Sequence, residues 1–549
     1  MRRPSLILVA VAAGLALADA SIVALALPPI LAELDTTVTG VAAVIGVYTL
    51  VLALGIWPAA ALARRAGPAH LGAIGLALFA AASLGCAAAD SIAVLLAFRA
   101  LQAAGGAAAL VAGFDLMDAG GAEGTRGRRL WVAAAVFGSA AGPAIGGILT
   151  ELLDWRAIFV AQAPVAVAAA AACWRLRIPA TGARPSAPFA WRPAIALGML
   201  SAALTAILFL LVLELVAGWS VAPIEAALAV SVLPVAALLA SRIPGDAGPR
   251  AAAGCLLVAA GGASLAFLPD AHLGWTIAPQ LLAGAGMGLA FPALAGGMLP
   301  ERTSGDAARV LVARHAGIVL ALLILAPVVT QQLDDATREA RLQGVAVVLD
   351  AKLPPEDQVG LAPALLGGVE TQDPRGGLQQ AIDEQRDDYG DGDEAAAFDA
   401  LAERTDEVLV AAVGDAFRTA YLITGALALL AALVLLVGAR VRLAAVAAAG
   451  AVGVTAVLAA VALDRAERPE PVEIASPCTA DRELPDTGGL SGLLQDQALI
   501  LLDRAACGFG SSREELVLAL ADDDEARRFE ERYGEDPRSA SGLLESLFG

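Results

Sequence analysis

Among 549 residues there is one lysine, Lys352, and no asparagine. Both are specified by A-rich codons, so their scarcity, beside an abundance of alanine, points to a GC-rich bacterial genome. Charge as a whole is thin: 17% of residues are charged and 58% hydrophobic, with a mean hydropathy of +0.72. Soluble domains carry about 25% charged residues, so these values argue against an ordinary soluble enzyme and against a disordered chain. There are three histidines and five cysteines, and no group of them has the spacing of a structural metal site. No G-x-x-x-x-G-K-[S/T] run is present, so nothing here supplies ATP drive. A net charge of −19 argues against nucleic acid, whose phosphates need clustered arginine and lysine. Neither enzymatic chemistry nor a cofactor is expected.

What the chain has instead is a series of apolar runs of about 20 residues, long enough for a helix to cross a bilayer core of about 30 Å. They fall at 5–31, 40–63, 70–89, 91–112, 130–150, 156–175, 193–214, 222–241, 250–269, 274–298, 310–330, 417–438 and 443–463. The expected class is an all-α polytopic membrane protein. The opening run begins Met1-Arg2-Arg3 and contains Ala-Leu-Ala-Asp-Ala, features shared with leader peptides. It continues to Leu31, so it reads as a full span.

Sidedness follows from arginine in the short loops. With the N-terminus inside, the inner loops carry Arg64 and Arg65, then Arg126, Arg128 and Arg129, then Arg175, Arg177, Arg184 and Arg192. Arg242, Arg250, Arg302, Arg309, Arg440 and Arg442 follow on the same side, whereas the short outer loops offer Arg156. Thirteen spans put the C-terminus outside. Two acidic blocks then face outward: residues 331–415, with 20 acidic and 6 basic side chains, and residues 464–549, with 20 and 9. Cys478 and Cys507 lie in the second block and are expected to pair in an oxidising compartment. Trp57, Trp131, Trp155, Trp219 and Trp275 fall near span ends and read as interface anchors.

The domain plan is six spans (1–175), an inner linker (176–192), and six more spans (193–438) interrupted by the outer insertion 331–415. A thirteenth span (439–463) and an acidic tail (464–549) follow. Helix-favouring stretches are read near Asp334–Asp350 and Glu394–Asp415. In the tail, Leu490–Ala506, Arg513–Leu520 and Asp523–Tyr533 show amphipathic periodicity. They predict a small helical domain stapled by the disulfide. Six plus six with a polar linker is the layout of a duplicated transporter, whose substrate sits at the midplane between halves.

Four local patterns then deserve comparison with a known family. Asp19-Ala20-Ser21-Ile22-Val23 precedes Ala26-Leu27-Pro28 in the first span. Arg99-Ala100-Leu101-Gln102-Ala103 precedes Gly105 and Gly106 in the fourth. Gly138 and Gly142-Pro143-Ala144-Ile145-Gly146-Gly147 lie in the fifth, and Trp155-Arg156-Ala157-Ile158-Phe159 with Gln162-Ala163-Pro164 opens the sixth. In this order and spacing they resemble the major facilitator superfamily, and within it the drug:proton antiporters. The second half is similar more loosely, through Gly284–Pro292 and Arg314–Gly317, and the resemblance covers about residues 1–440. The loop between spans two and three departs from the family pattern. Ala60, Leu62, Arg64, Arg65 and Gly67 align with it, but Arg64 stands where relatives carry the aspartate of the inner gate.

The resemblance implies a major-facilitator-like 6+6 core, with one extra C-terminal helix and the small extracytoplasmic tail beyond it. It sets spans one and four side by side. Asp19 and Arg99 lie at depths differing by only about 6 Å, at 1.5 Å per residue, so they are expected to face each other across the cavity. Asp19 would exchange protons, Arg99 would tune it, and Gln102, one turn below, could bond on the same face. Gly138, Gly142, Pro143, Gly146 and Gly147 would form a hinge. Glu214, Glu225 and His315 read more readily as polar span ends than as proton sites. The function implied is proton-coupled efflux of hydrophobic or cationic drug-like molecules, driven by the proton gradient and without a cofactor. The alternatives are export of a lipid or endogenous metabolite, or a non-transporting sensor or scaffold on the same fold. The expected partners are a small-molecule substrate, the bilayer of the cell membrane and an extracytoplasmic protein for the tail, with the chain a monomer.

Overall fold

A computed structural model of the chain describes residues 2–120, 145–176, 189–298, 304–351, 374–386, 392–437, 443–470 and 489–539. Isolated positions between these, Gly142, Tyr389 and Cys478 among them, are also described. The described residues are helical throughout, without a strand. Among the described residues, ten helical stretches are long and apolar enough to cross a membrane, with 223–240 counted as one. Two units can be distinguished: Met1–Val216, Val221–Thr330 and Phe417–Ala466 form the first, and Ala217–Ser220, Gln331–Ala416 and Glu467–Gly549 the second.

In the first unit the opening apolar run is two helices, α1 (Arg2–Ala24) and α2 (Leu27–Glu33). The break precedes Pro28 and Pro29. A proline has no N–H to continue the ladder but is tolerated in a helix's first turn, where that N–H would have no partner, so the chain restarts with both prolines there. Helix α3 (Val38–Ala66) opens on Thr37, whose hydroxyl accepts from the Gly40 N–H at 3.1 Å. It closes at Gly67, whose φ of +85° makes the tight turn into α4 (Pro68–Ala87). Next come α5 (Ile92–Gly120), a helical stretch at 145–152 and α6 (Arg156–Arg175).

After the linker, α7 (Trp191–Leu213) runs into a single π-helical turn, Glu214–Gly218. The eighth apolar run is divided at Ser231 into α8 (Pro223–Val230) and α9 (Val232–Ala240). Helices α10 (Ala247–Leu265) and α11 (Leu273–Met298) complete this group.

Packing repeats between the halves. In the first, α5 lies against α3 and α4; in the second, α11 lies against α9 and α10. The close approach that each pairing needs is made by glycine. A β-carbon on Gly105 would sit 2.6 Å from the Gly75 carbonyl oxygen, and one on Gly254 would sit 2.5 Å from that of Gly286. Small residues at such crossings let helix backbones touch where no hydrophobic effect drives them together.

The insertion does not begin where the apolar runs end. Helix α12 spans Ser304–Leu349 and α14 spans Asp393–Leu436, with α13 (Pro374–Arg386) between them in sequence. At 1.5 Å per residue the 46 residues of α12 extend about 69 Å, more than twice a bilayer core. The segment after Thr330, Gln331-Gln332-Leu333-Asp334, contains no glycine or proline to stop the helix. In the first unit Arg418 of α14 meets Asp464 of α15 (Leu443–Glu467) at 3.4 Å and donates to the Ala266 carbonyl at 3.1 Å.

In the second unit, Arg375 forks onto Asp406 with contacts of 2.8 and 2.7 Å. Arg513 is buried and meets Asp350 at 2.9 Å. The tail folds as α16 (Gly489–Phe509), α17 (Arg513–Ala521) and α18 (Asp523–Tyr533) around Ala506, Leu516, Ala519 and Phe529. Cys478 and Cys507 are joined in a disulfide with Cα atoms 5.1 Å apart. Ser512 and Glu515 form a reciprocal capping box at the start of α17.

Asp522 caps α18 by accepting from the backbone N–H groups of Glu525 (3.0 Å) and Asp524 (2.8 Å). These bonds, the Glu525 amide foremost, hold its carboxyl below the usual carboxylate range. A depressed value stabilises the fold above the unfolded pKa and loses that contribution as pH falls through the folded one. Asp522→Ala should therefore lower the hydrogen-exchange protection of α18 amides in the full chain by roughly 0.5–1 kcal/mol at neutral pH. The difference from wild type should begin to shrink as pH drops below about 3.9 and vanish only once the pH is below the depressed folded value. Equal protection in both proteins at pH 7 would show that the cap contributes nothing.

Candidate functional site

The interior of the first half holds a closed polar network on five helices. Asp19 on α1 and Arg99 on α5 form an ion pair at 2.5 Å, both with no exposed side-chain surface. The guanidinium also donates through Nη1 to Gln102 Oε1 at 2.6 Å and through Nε to the Val44 carbonyl of α3 at 3.1 Å. It lies over the Tyr48 ring, 4.3 Å from the centroid. Gln102 in turn donates to Ser83 of α4 at 2.8 Å and to Gln162 of α6 at 3.0 Å, and Gln162 donates to Asp19 at 3.2 Å. Asp19, Arg99, Gln102 and Gln162 thus close a ring of contacts.

Desolvating each ion costs several kcal/mol, recovered only when the remaining donors and acceptors are also met. Here Arg99 Nε and Nη1 and Asp19 Oδ1 are hydrogen-bonded, while Nη2 and Oδ2 have only each other in the ion pair. Removing one partner leaves the other charge uncompensated, so these residues act as a set.

The pair's placement corrects one expectation. Asp19 and Arg99 do touch, but not across the central cavity. That cavity, about 90 Å³, is lined on α1 by Leu17, Ser21 and Ala24, with α7 and α12 contributing further wall. A helix turns about 100° per residue. Asp19 is therefore about half a turn from both Leu17 and Ser21, and faces into the first half. Helix α1 carries the charge pair on its back and a cavity wall on its front.

The same stretch of α1 meets the fifth span. A β-carbon on Gly142 would overlap the Ser21 hydroxyl, one on Gly146 the Ile22 carbonyl oxygen, and one on Gly147 the Ala227 side chain of α8. Gly138 and Pro143 lie outside the described residues. At the corresponding crossing in the second half, a β-carbon on Gly317 of α12 would overlap the Gly198 backbone of α7.

The tryptophan–arginine pair that opens the sixth span anchors this half. Trp155 is buried, 1% exposed, and donates to Glu33 at 2.5 Å. Arg156 also bonds Glu33 at 2.5 Å and reaches the Ala89 carbonyl at 3.3 Å. Trp155 and Trp219 are therefore buried and not interface anchors, whereas Trp57 is 50% exposed. Before the turn into α4, Arg64 and Arg65 are exposed at the C-terminus of α3, a position favourable for cations. Gly67 is buried and makes the turn.

Glu214 reads from sequence as a carboxylate at headgroup level. It is instead 1% exposed, at the start of the π-helical turn, and accepts from Tyr421 Oη of α14 at 2.7 Å. His315 is buried too, with Nδ1 2.7 Å from the Leu311 carbonyl oxygen. Tyr48, Ser83 and Tyr421 were missed in the sequence. A hydroxyl in an apolar run is the only local signal, and it is shared by hydroxyls that merely bond their own helix.

A sequence profile of the Major Facilitator Superfamily matches residues 9–308, more than half of the chain. The chain belongs to the Major Facilitator Superfamily of membrane transporters. The multidrug resistance protein Stp of Mycobacterium tuberculosis is 37% identical over 150 residues, covering 27% of this chain and 28% of that protein. The methylenomycin A resistance protein of Streptomyces coelicolor is 34% identical over 239 residues, covering 42% and 49%. The chain thus spans half or less of the curated relatives it matches here. A bacterial homolog of the human lysosomal transporter Spinster, solved inward-facing and unoccupied, superposes with a TM-score of 0.55 at 15% identity. The match covers 80% of this chain and 99% of that one; at that identity the likeness is one of fold.

Gly146→Ala should displace α1 at Ile22, because the added methyl has no room. Overpacking of this kind costs about 1–3 kcal/mol and should appear as a lower unfolding midpoint in detergent. Gly248→Ala, at a position open to at least 4 Å, should leave the midpoint unchanged. Equal midpoints for both variants would remove the close α1 contact from the account.

Proposed function

We propose that the chain is a secondary active transporter of the cell membrane that exports hydrophobic, drug-like small molecules in exchange for protons. The observation that carries this is the position of Asp19. Its carboxylate is sealed against Arg99 on the back of a helix whose front lines the cavity. A proton taken up by Asp19 cancels the charge that Arg99 balances, and the ring through Gln102 and Gln162 must then rearrange. Because α1 is pressed against Gly142 and Gly146, a shift of its back face moves Leu17, Ser21 and Ala24 with it. Protonation and cavity shape are then coupled through one rigid element, the arrangement that alternating access requires.

The resistance proteins among the relatives support efflux as the direction. Contacts between the halves also fit. Thr39 and Thr330 lie 3.5 Å apart, and the Gly147 position abuts Ala227. With the N-terminus inside, these contacts lie at the outer end, so the cavity is closed from outside. In the same reading α15 is a thirteenth span, held to α14 by Arg418 and Asp464, and the disulfide-bearing tail is extracytoplasmic.

Inside-out vesicles containing the full chain should accumulate dyes from a hydrophobic panel when a proton gradient is imposed. They should lose that uptake when the gradient is collapsed. Asp19→Asn, which keeps the shape but not the titratable charge, should reduce uptake to that of vesicles lacking the protein. Gradient-driven uptake surviving in Asp19→Asn would remove Asp19 from the coupling step.

A further inference from the structure

The central cavity has one charged residue in its wall, Arg314 of α12. The rest is apolar or hydroxyl-bearing: Ser21, Ser201 and Thr205 beside Phe209, Met287 and Phe291. Arg314 is partly accessible from the cavity, and among the described residues it makes no hydrogen bond or ion pair. No Asp or Glu lines the cavity. Nor is a counter-ion hidden in the fifth span, because residues 130–150 contain no acidic side chain. The neighbouring acids are already committed elsewhere: Asp19 pairs with Arg99, and Glu214 accepts from Tyr421.

A guanidinium keeps its charge at physiological pH. An uncompensated cation at bilayer depth is costly, by about 2.5–3.5 kcal/mol even on insertion scales. A carboxylate or sulfonate reaching Arg314 would relieve that cost, and the planar fork can grip such a group with two parallel bonds. The hydroxyls fit the same role. Ser21 and Ser201 donate within their own helices, to Ala18 at 2.7 Å and Leu197 at 2.6 Å. Thr205 makes no bond to a described residue and is free to donate to an anion. A cationic ligand would meet a like charge in a low-dielectric wall.

We infer that the cavity selects amphiphiles bearing one anionic group, with that group held by Arg314 and an apolar body against Phe209, Met287 and Phe291. Its role as a substrate site rests on the transport reading above; the anion site itself is tested separately. This narrows the drug-like class expected from sequence and turns it away from cations.

The test is a binding titration of the full chain in phosphatidylcholine nanodiscs, with empty nanodiscs as blank. The probes are 8-anilinonaphthalene-1-sulfonate and its uncharged parent N-phenyl-1-naphthylamine, which share a ring system and differ by the sulfonate. Wild type should bind the sulfonate saturably. Arg314→Gln should weaken it about tenfold or more, and Arg314→Lys, which keeps the charge, should weaken it less. The uncharged parent should change by less than about threefold in both variants. The inference is overturned by an unchanged sulfonate affinity in Arg314→Gln, by equal losses for both probes, or by no saturable binding to wild type. The two readings fail separately. Arg314-independent binding beside Asp19-dependent uptake removes the anion site and leaves coupling intact. Arg314-dependent binding without gradient-driven uptake does the reverse.

Discussion

Arg99 is a permanent charge in the middle of an apolar bundle, and the arrangement of the first half answers to it. A guanidinium offers five donors in a fixed plane, so compensation needs acceptors from several directions at once. Asp19, Gln102 and the Val44 carbonyl provide them from three helices, while Tyr48 covers one face of the plane. Ser83 and Gln162 then satisfy what Gln102 and Asp19 have left over. Five helices are thus tied by groups that cannot be removed singly. In a membrane, where helix association has no hydrophobic drive, such a network supplies specificity that packing alone would leave loose.

Glycine works alongside this network in packing. The crossings of Gly75 with Gly105 and of Gly254 with Gly286 bring helices together inside each half. Gly142 and Gly146 press the fifth span on α1, and Gly317 presses α12 on α7. Close crossings of this kind recur in both halves.

Much of the architecture was legible in the chain. Spans declare themselves because a helix in hydrocarbon must be apolar along about 20 residues. Arg64 and Arg65 mark the end of a span because arginine is costly within one, whereas the run 5–31, which reads as one span, is two helices with an unread break before Pro28. The motifs around Asp19, Arg99 and Trp155 carried the family, since each specifies a polar contact with few substitutes. Less legible was where a helix stops when nothing breaks it. Helices α12 and α14 pass beyond their apolar stretches because helical propensity continues after hydrophobicity ends. Trp155 and Trp219 misled because amphipathic rings suit both a membrane interface and a buried donor site.

Local chemistry along the chain determined that this is a helical membrane protein, how its charges are distributed, and which side chains would be expensive to bury. Those are properties of segments, set by transfer free energies that each residue carries with it. Tertiary structure alone decided which buried charge finds which partner. It turned Asp19 to the back of α1, gave Glu214 the Tyr421 hydroxyl from 207 positions away, and left Arg314 facing the cavity. Such pairings depend on helix rotation and neighbour identity, and both come from packing between segments far apart in the sequence.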